Sequence, residues 1–341
     1  MKKRLAFALV CTMALSLAAC GDSAPPASSA APAPPASQPA SVAAEPADPL
    51  SLPLYDRFYL DEDELVLVRD DGSVFIDLGA GNEERTAAIQ TQADATGKKW
   101  AGVLKASWFE RSVWLLSTDR LLYEISDEKA TVRSEDVVSF CHYSKCQLLV
   151  HGDGTVELMG ERSQAMPDIS GVSEWTDIVR VALGYTVALG LKEDGTVVAV
   201  GDSSKGQAEV SGWTDIVQLA VVDSVSSTNI DGTEAFVLGL KEDGTLVAAG
   251  QYYFDCDISS LLAITDVKQI ACERNNIVLV KNDGTVTSDP GKGLLEDVSN
   301  MAAIGFDWDM QMNYIYVTED GSVVLGPDAP ADNRTGLSLR S

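Results

Sequence analysis

Residues 182–207 read ALGYTVALGLKEDGTVVAVGDSSKGQ. Asp194-Gly195 is the signal of a tight hairpin, because glycine reaches positive φ without a steric penalty and aspartate hydrogen-bonds the backbone two residues on. Apolar residues from Val187 to Leu191 and from Val197 to Val200 flank it, so two strands meet at this turn. Ala182 and Leu183, ahead of the polar Gly184-Tyr185-Thr186, end a third strand. The unit is therefore strand, polar turn, strand, Asp-Gly turn, strand.

The unit recurs. Asp-Gly stands at Asp71-Gly72, Asp153-Gly154, Asp194-Gly195, Asp243-Gly244, Asp283-Gly284 and Asp320-Gly321, and Asp119-Arg120 is a degenerate seventh. Successive turns lie 34 to 49 residues apart. Short strands repeating near every forty residues, without helical periodicity, are the pattern of β-propeller blades. Residues 50–341 are thus expected to form one all-β domain, a seven-bladed β-propeller. Its ring would close through the segment near Leu52 to Leu60 or through Leu337-Ser338-Leu339. Trp175 and Trp213 open equivalent strands and are expected to pack blade against blade.

Residues 182–207 also resemble the repeat of the regulator of chromosome condensation. The likeness is strongest from Trp175 to Gln251, continues through the Asp283 and Asp320 units and thins before Val137. It implies a seven-bladed propeller that serves as a binding scaffold. Where that repeat often carries His, Trp and Asn, this chain has Tyr185, Val200 and Asp202, and Gly206-Gln207 occurs once. No residue here matches a motif for the family's nucleotide-exchange activity, so that activity is not carried over.

Before the repeats lie two segments of other character. Lys2, Lys3 and Arg4 precede an apolar run from Leu5 to Ala19, too short to span a bilayer, which reads as an export signal over residues 1–19. Leu17-Ala18-Ala19-Cys20-Gly21 resembles the lipobox of bacterial lipoproteins, which implies a lipid on Cys20 and an extracytoplasmic, membrane-anchored protein. The alternative is an ordinary secretory signal cut near Ala19. Residues 20–49 hold eight of the thirteen prolines among Ala and Ser, the composition of an extended spacer.

The formal net charge is −26, and loss of three basic residues with the leader would take it to −29. Nucleic acid and anionic lipid surfaces are excluded as partners, since phosphate binding needs clustered Lys and Arg.

In a propeller the Asp-Gly turns lie on one face and the variable loops on the other. The Asp-Gly face is explained by turn chemistry and is expected to carry little function. The loop face is expected to collect Tyr55 to Tyr59, Trp108, Phe109, Tyr143, Tyr185, Tyr252, Tyr253, Phe254, Asp255, Phe306, Asp307, Trp308 and Asp309. Rings beside carboxylates suit a protein, peptide or glycan ligand; the competing reading is that the rings fold back over the blade ends.

Cys141, Cys146, Cys256 and Cys272 remain as possible disulfide partners in an exported chain. If Cys141 and Cys146 flank a four-residue hairpin loop, they pair; free buried thiols, or a metal cluster with His142 and His151, are the alternatives. A bond between Cys256 and Cys272, on loops of neighbouring units, is a further expectation.

Enzyme motifs are scarce. Two histidines in one stretch leave little from which to assemble a nucleophile with its base, and Gly-x-Ser-x-Gly does not occur. Asp255 with Asp257, or Asp307 with Asp309, offers a carboxylate pair for a glycan-active hydrolase or lyase. The sequence is read as a non-catalytic, monomeric binding lipoprotein without metal or cofactor. The alternatives are a scaffold subunit of an envelope assembly and that glycan-active enzyme.

Overall fold

At Asp194-Gly195 the chain turns as the dipeptide requires. Gly195 sits at φ +79°, and Asp194 Oδ1 accepts hydrogen bonds from Thr196 N at 2.9 Å and Thr196 Oγ1 at 2.6 Å. A computed structural model describes this unit and its repeats over residues 53–61, 64–104, 112–162, 166–224, 234–252, 258–273, 276–288, 298–306, 314–326 and 337–340.

Seven antiparallel sheets follow one another along the chain. Blade one is β1 (Phe58–Asp61), β2 (Glu64–Val68) and β3 (Val74–Asp77), followed by helix α1 (Glu83–Ala95). Blade two has four strands, β4 (Trp100–Leu104), β5 (Val113–Ser117), β6 (Leu122–Ile125) and β7 (Ala130–Ser134). Blade three is β8 (Val137–Tyr143), β9 (Cys146–His151) and β10 (Val156–Gly160). The unit first read makes blade four, as β11 (Ile178–Leu183), β12 (Val187–Lys192) and β13 (Val197–Gly201). Blade five is β14 (Ile216–Ser224), β15 (Glu234–Lys241) and β16 (Leu246–Gln251), and short helix α2 (Ile258–Leu262) follows it. Blades six and seven are β17 (Val267–Glu273), β18 (Asn276–Lys281), β19 (Val286–Ser288) and β20 (Met301–Phe306), β21 (Tyr314–Thr318), β22 (Val323–Leu325).

One backbone hydrogen bond repeats at every blade junction. The carbonyl of the turn glycine accepts from the first residue of the next inner strand: Gly154 from Ile178 at 3.0 Å, Gly195 from Ile216 at 3.0 Å, Gly244 from Val267 at 3.1 Å. In the degenerate turn Arg120, at φ +64°, takes the glycine's place and accepts from Val137 at 2.9 Å. The seventh bond closes the ring. Gly321 accepts from Leu339 at 2.9 Å, Leu339 accepts from Asp70 at 2.8 Å, and Ser338 bridges Ser322. Leu339 is buried with Phe58 and Leu60 of blade one and Val317 and Val323 of blade seven, so the expected closure through Leu337-Ser338-Leu339 is present.

Apolar middle strands fill the gaps between blades, each buried aliphatic side chain contributing about 1.5–3 kcal/mol. Trp213 is buried with Val187 and Leu189 of blade four and Val237 of blade five, and Trp175 packs among residues of blades three and four. Each indole crosses a glycine of its own blade's middle strand. A Cβ on Gly190 would lie 2.8 Å from the Trp175 ring, and one on Gly239 2.8 Å from that of Trp213.

Helix α1 was not legible in the sequence. It buries only Ile89 and Ala93, too thin an apolar stripe to read as a helical period. It stands where a fourth strand would, and Gln90 does that strand's work on the edge of β3. Its Oε1 accepts from Ile76 N at 3.0 Å and its Nε2 donates to Val74 O at 3.0 Å.

Candidate functional site

Strand direction sorts the surface into two faces and a channel. The hairpins joining first to second strands lie on one face, the Asp-Gly turns and blade junctions on the other, and the inner strands line the channel.

The Asp-Gly face is a set of near-identical turns. Asp153, Asp243 and Asp283 repeat the Asp194 pattern with Thr155, Thr245 and Thr285, and Asp320 bonds Ser322 N at 3.0 Å and Thr318 Oγ1 at 2.5 Å. These hydrogen bonds, led by those from side-chain hydroxyls, hold the carboxyls below their ordinary range, Asp320 at about 2.

In the channel the structure departs from the reading of residues 55–59. These residues do not reach the loop face. Leu54–Arg57 forms a single 3-10 turn, Arg57 and Phe58 are buried, and Tyr55 and Asp56 project among the inner strands. Asp56 Oδ2 accepts from Arg180 Nη1 at 2.6 Å. Burial opposes the charge on Arg180, but Asp56 and Tyr55 together outweigh it and the guanidinium is held above its ordinary pKa.

Arg180 stands two residues into β11, just past a register shift that recurs in the inner strands. Gln218 and Gln269 fill the same position in β14 and β17. Gln218 Nε2 donates to Ile270 O at 2.8 Å and its Oε1 accepts from Ile270 N at 2.8 Å; Gln269 makes the same pair of bonds with Ile304, at 2.8 and 3.0 Å. Two glutamines thus stitch blade to blade along the channel wall, and Arg180 turns to Asp56 instead. Sequence reasoning missed all three. The available signal was a long polar residue at the third position of three equivalent inner strands.

On the loop face the structure brings together two of the expected residues. Tyr143, at the end of β8, and Tyr185, between β11 and β12, meet edge to face with ring centroids 6.4 Å apart. Arg162 supports them. Its Nη2 donates to Tyr185 O at 2.6 Å and its Nη1 to Cys146 Sγ at 3.7 Å. Tyr252 instead packs on Phe236, 5.1 Å between centroids, within the core of blades five and six. For that ring the competing reading, folding back over the blade end, is the one observed. Phe306 ends β20. Trp108, Phe109, Tyr253, Phe254, Asp255, Asp307, Trp308 and Asp309 lie outside the described residues, as do Cys20, Cys256 and Asp257.

The expected Cys141–Cys146 bond is corrected. The hairpin between β8 and β9 is a two-residue turn, Ser144-Lys145, not a four-residue loop. Cys146 therefore faces Tyr143, while Cys141 faces Leu148, and both thiols are free. Burial pushes both thiols up in pKa, that of Cys141 far above the usual range. Cys272 lies on the channel wall in β17 rather than on a loop, and its thiol donates to Val221 O at 3.6 Å. His151 bonds Glu157 Oε2 at 3.2 Å at the far end of β9 from the turn near His142, so the two histidines do not converge. Among the described residues no three His, Cys, Asp or Glu side chains form a metal site.

Several solved structures share the architecture. Prp20p of Saccharomyces cerevisiae, described together with its binding to Gsp1p and histones, is 14% identical with a TM-score of 0.48, over 73% of this chain and 79% of its own. The ectodomain of the Physcomitrella patens receptor kinase CR4 is 10% identical with a TM-score of 0.51, over 79% and 71%. The computationally designed Ika8 protein is 16% identical with a TM-score of 0.42, over 84% and 85%. The chain is a seven-bladed β-propeller. At these identities the likeness is one of fold. No family model and no curated protein sequence matches the chain.

Proposed function

We propose that this propeller is a non-catalytic binding module, anchored by a lipid on Cys20 outside the cytoplasm, that engages a protein, peptide or glycan through its loop face. The observation that carries this reading is the Tyr143–Tyr185 pair, two half-buried rings set edge to face and braced by Arg162 where the loops of blades three and four meet. Rigid aromatics offer large contact area at small conformational cost. The opposite face spends its repeated carboxylates within its own turns.

Pull-down from detergent-solubilised membranes tests the reading. The mature protein should retain a partner or glycan that a Tyr143→Ala/Tyr185→Ala variant, folded by circular dichroism, loses. Equal capture by both proteins would place the site elsewhere.

A further inference from the structure

The loop-face end of the channel holds a cavity of ≈ 340 Å³. Its floor is Tyr55 and its walls are inner-strand residues of blades three to seven, among them Val181, Leu219, Val221 and Cys272. The Leu54–Arg57 turn stands beside it, tied to β11 through Asp56 and Arg180.

The chemistry of the lining is unlike that of the chain. The protein carries 51 acidic and 25 basic residues, yet among the described residues none of those lining this cavity is charged. Its two amide side chains, Gln218 and Gln269, each have both polar ends committed to the neighbouring backbone. Burial, and next to it the charge of Asp56, raises the Tyr55 phenol well above its ordinary pKa, so the floor is neutral as well. An ionised group settling here would give up part of its water and meet no counter-charge among the described lining residues. An apolar one would gain by leaving water, and the volume falls within the range of small-molecule pockets.

We propose that this cavity, whose exposed lining mixes polar groups with apolar side chains, binds a small, uncharged molecule that carries both apolar surface and hydrogen-bonding groups. The proposal is independent of the loop-face reading, since it concerns the channel and not the rings around its mouth.

The test uses two dyes of similar size, the neutral N-phenyl-1-naphthylamine and the anionic 8-anilinonaphthalene-1-sulfonate. Each is titrated by fluorescence into the full chain at high salt, so that the field of the acidic surface is screened. The neutral dye should bind saturably at one site and the sulfonate about tenfold more weakly or worse. Leu219→Trp, which fills the cavity, should abolish neutral-dye binding. Should that variant misfold, the unaltered protein still decides the matter. Saturating neutral dye should slow alkylation of Cys272 by N-ethylmaleimide, followed by peptide mass spectrometry. Equal binding of the two dyes, absence of saturation, a folded Leu219→Trp variant that binds normally, or an unchanged Cys272 rate would each overturn the proposal.

Discussion

Arg180 and Asp56 meet at 2.6 Å although 124 residues separate them in sequence. The bond runs from the inner strand of blade four to the turn ahead of blade one, and so joins distant parts of the ring through the channel. Both side chains are about one-third exposed, at 27% and 34%, which places the pair between surface and buried ion pairs. Arg180→Met is expected to cost about 1–2 kcal/mol, because it leaves Asp56 beside an uncharged wall. A double-mutant cycle with Asp56→Asn, read by urea denaturation, should give a coupling of about 1 kcal/mol. A coupling near zero would show that the turn is held by its apolar neighbours alone.

Gln90 substitutes for a missing strand. Gln90→Ala would strand Ile76 N–H and Val74 C=O at the edge of β3, at a cost of about 1–3 kcal/mol if water cannot replace the amide. Gln90→Glu keeps the acceptor for Ile76 but puts an anion against the Val74 carbonyl, and should recover little. Hydrogen exchange at the Ile76 amide checks the mechanism directly: relative to amides of β12 it should speed up most in Gln90→Ala, where the acceptor is gone, and less in Gln90→Glu, where it remains.

What the sequence disclosed, and what it hid, divides along the repeat. The Asp-Gly turns and the blade-to-blade packing of Trp175 and Trp213 were legible because each is local chemistry, copied from unit to unit; Leu337-Ser338-Leu339 stood only as one of two candidate closures, because it occurs once. Helix α1 was hidden because one blade departs from the pattern and the helix buries so little. The Cys141–Cys146 assignment failed on register. The spacing permits either a four-residue loop that opposes the cysteines or a two-residue turn that sets them diagonally, and only the ladder of β8 against β9 decides. For the site, Tyr143 and Tyr185 could be placed on one face from strand order, but their contact with each other and with Arg162 depends on how two blades pack. Arg180, Gln218 and Gln269 could have been noticed as a long polar residue at one repeated position, though nothing local distinguishes a residue that stitches blades from one that crosses the channel.

The free thiols make a direct check of that register. Denaturing the purified protein in iodoacetamide without reductant should alkylate both Cys141 and Cys146, and prior reduction should not increase the label. A peptide bearing an intact Cys141–Cys146 bond would mean that the hairpin re-registers to the larger loop.

Gly190 and Trp175 form a pair that tolerates no methyl group. A Cβ at Gly190 would meet the indole at 2.8 Å, so Gly190→Ala should force the ring from the blade and cost about 1–3 kcal/mol. Gly190→Ala/Trp175→Leu should recover part of that loss, because the smaller side chain makes room. The same relation joins Gly239 to Trp213, and the better-buried ring there should make Gly239→Ala the more damaging substitution. Thermal unfolding of the three variants against the parent orders these costs.

Acid should loosen the ring from the Asp-Gly face. Asp153, Asp194, Asp243, Asp283 and Asp320 all have folded pKa values below the ordinary 3.8, with Asp320 at about 2. A depressed folded pKa means that the unfolded chain binds protons first. The stabilisation is therefore fully present above the unfolded value and is lost as pH falls through the folded one. The midpoint of thermal unfolding should stay flat with respect to these groups near pH 6 and fall progressively from about pH 4 toward pH 2. Asp194→Asn/Asp243→Asn/Asp283→Asn keeps an acceptor oxygen in each turn but removes the titration, so its profile should be shallower in that window. A parallel fall in variant and parent would assign the acid sensitivity to other carboxylates.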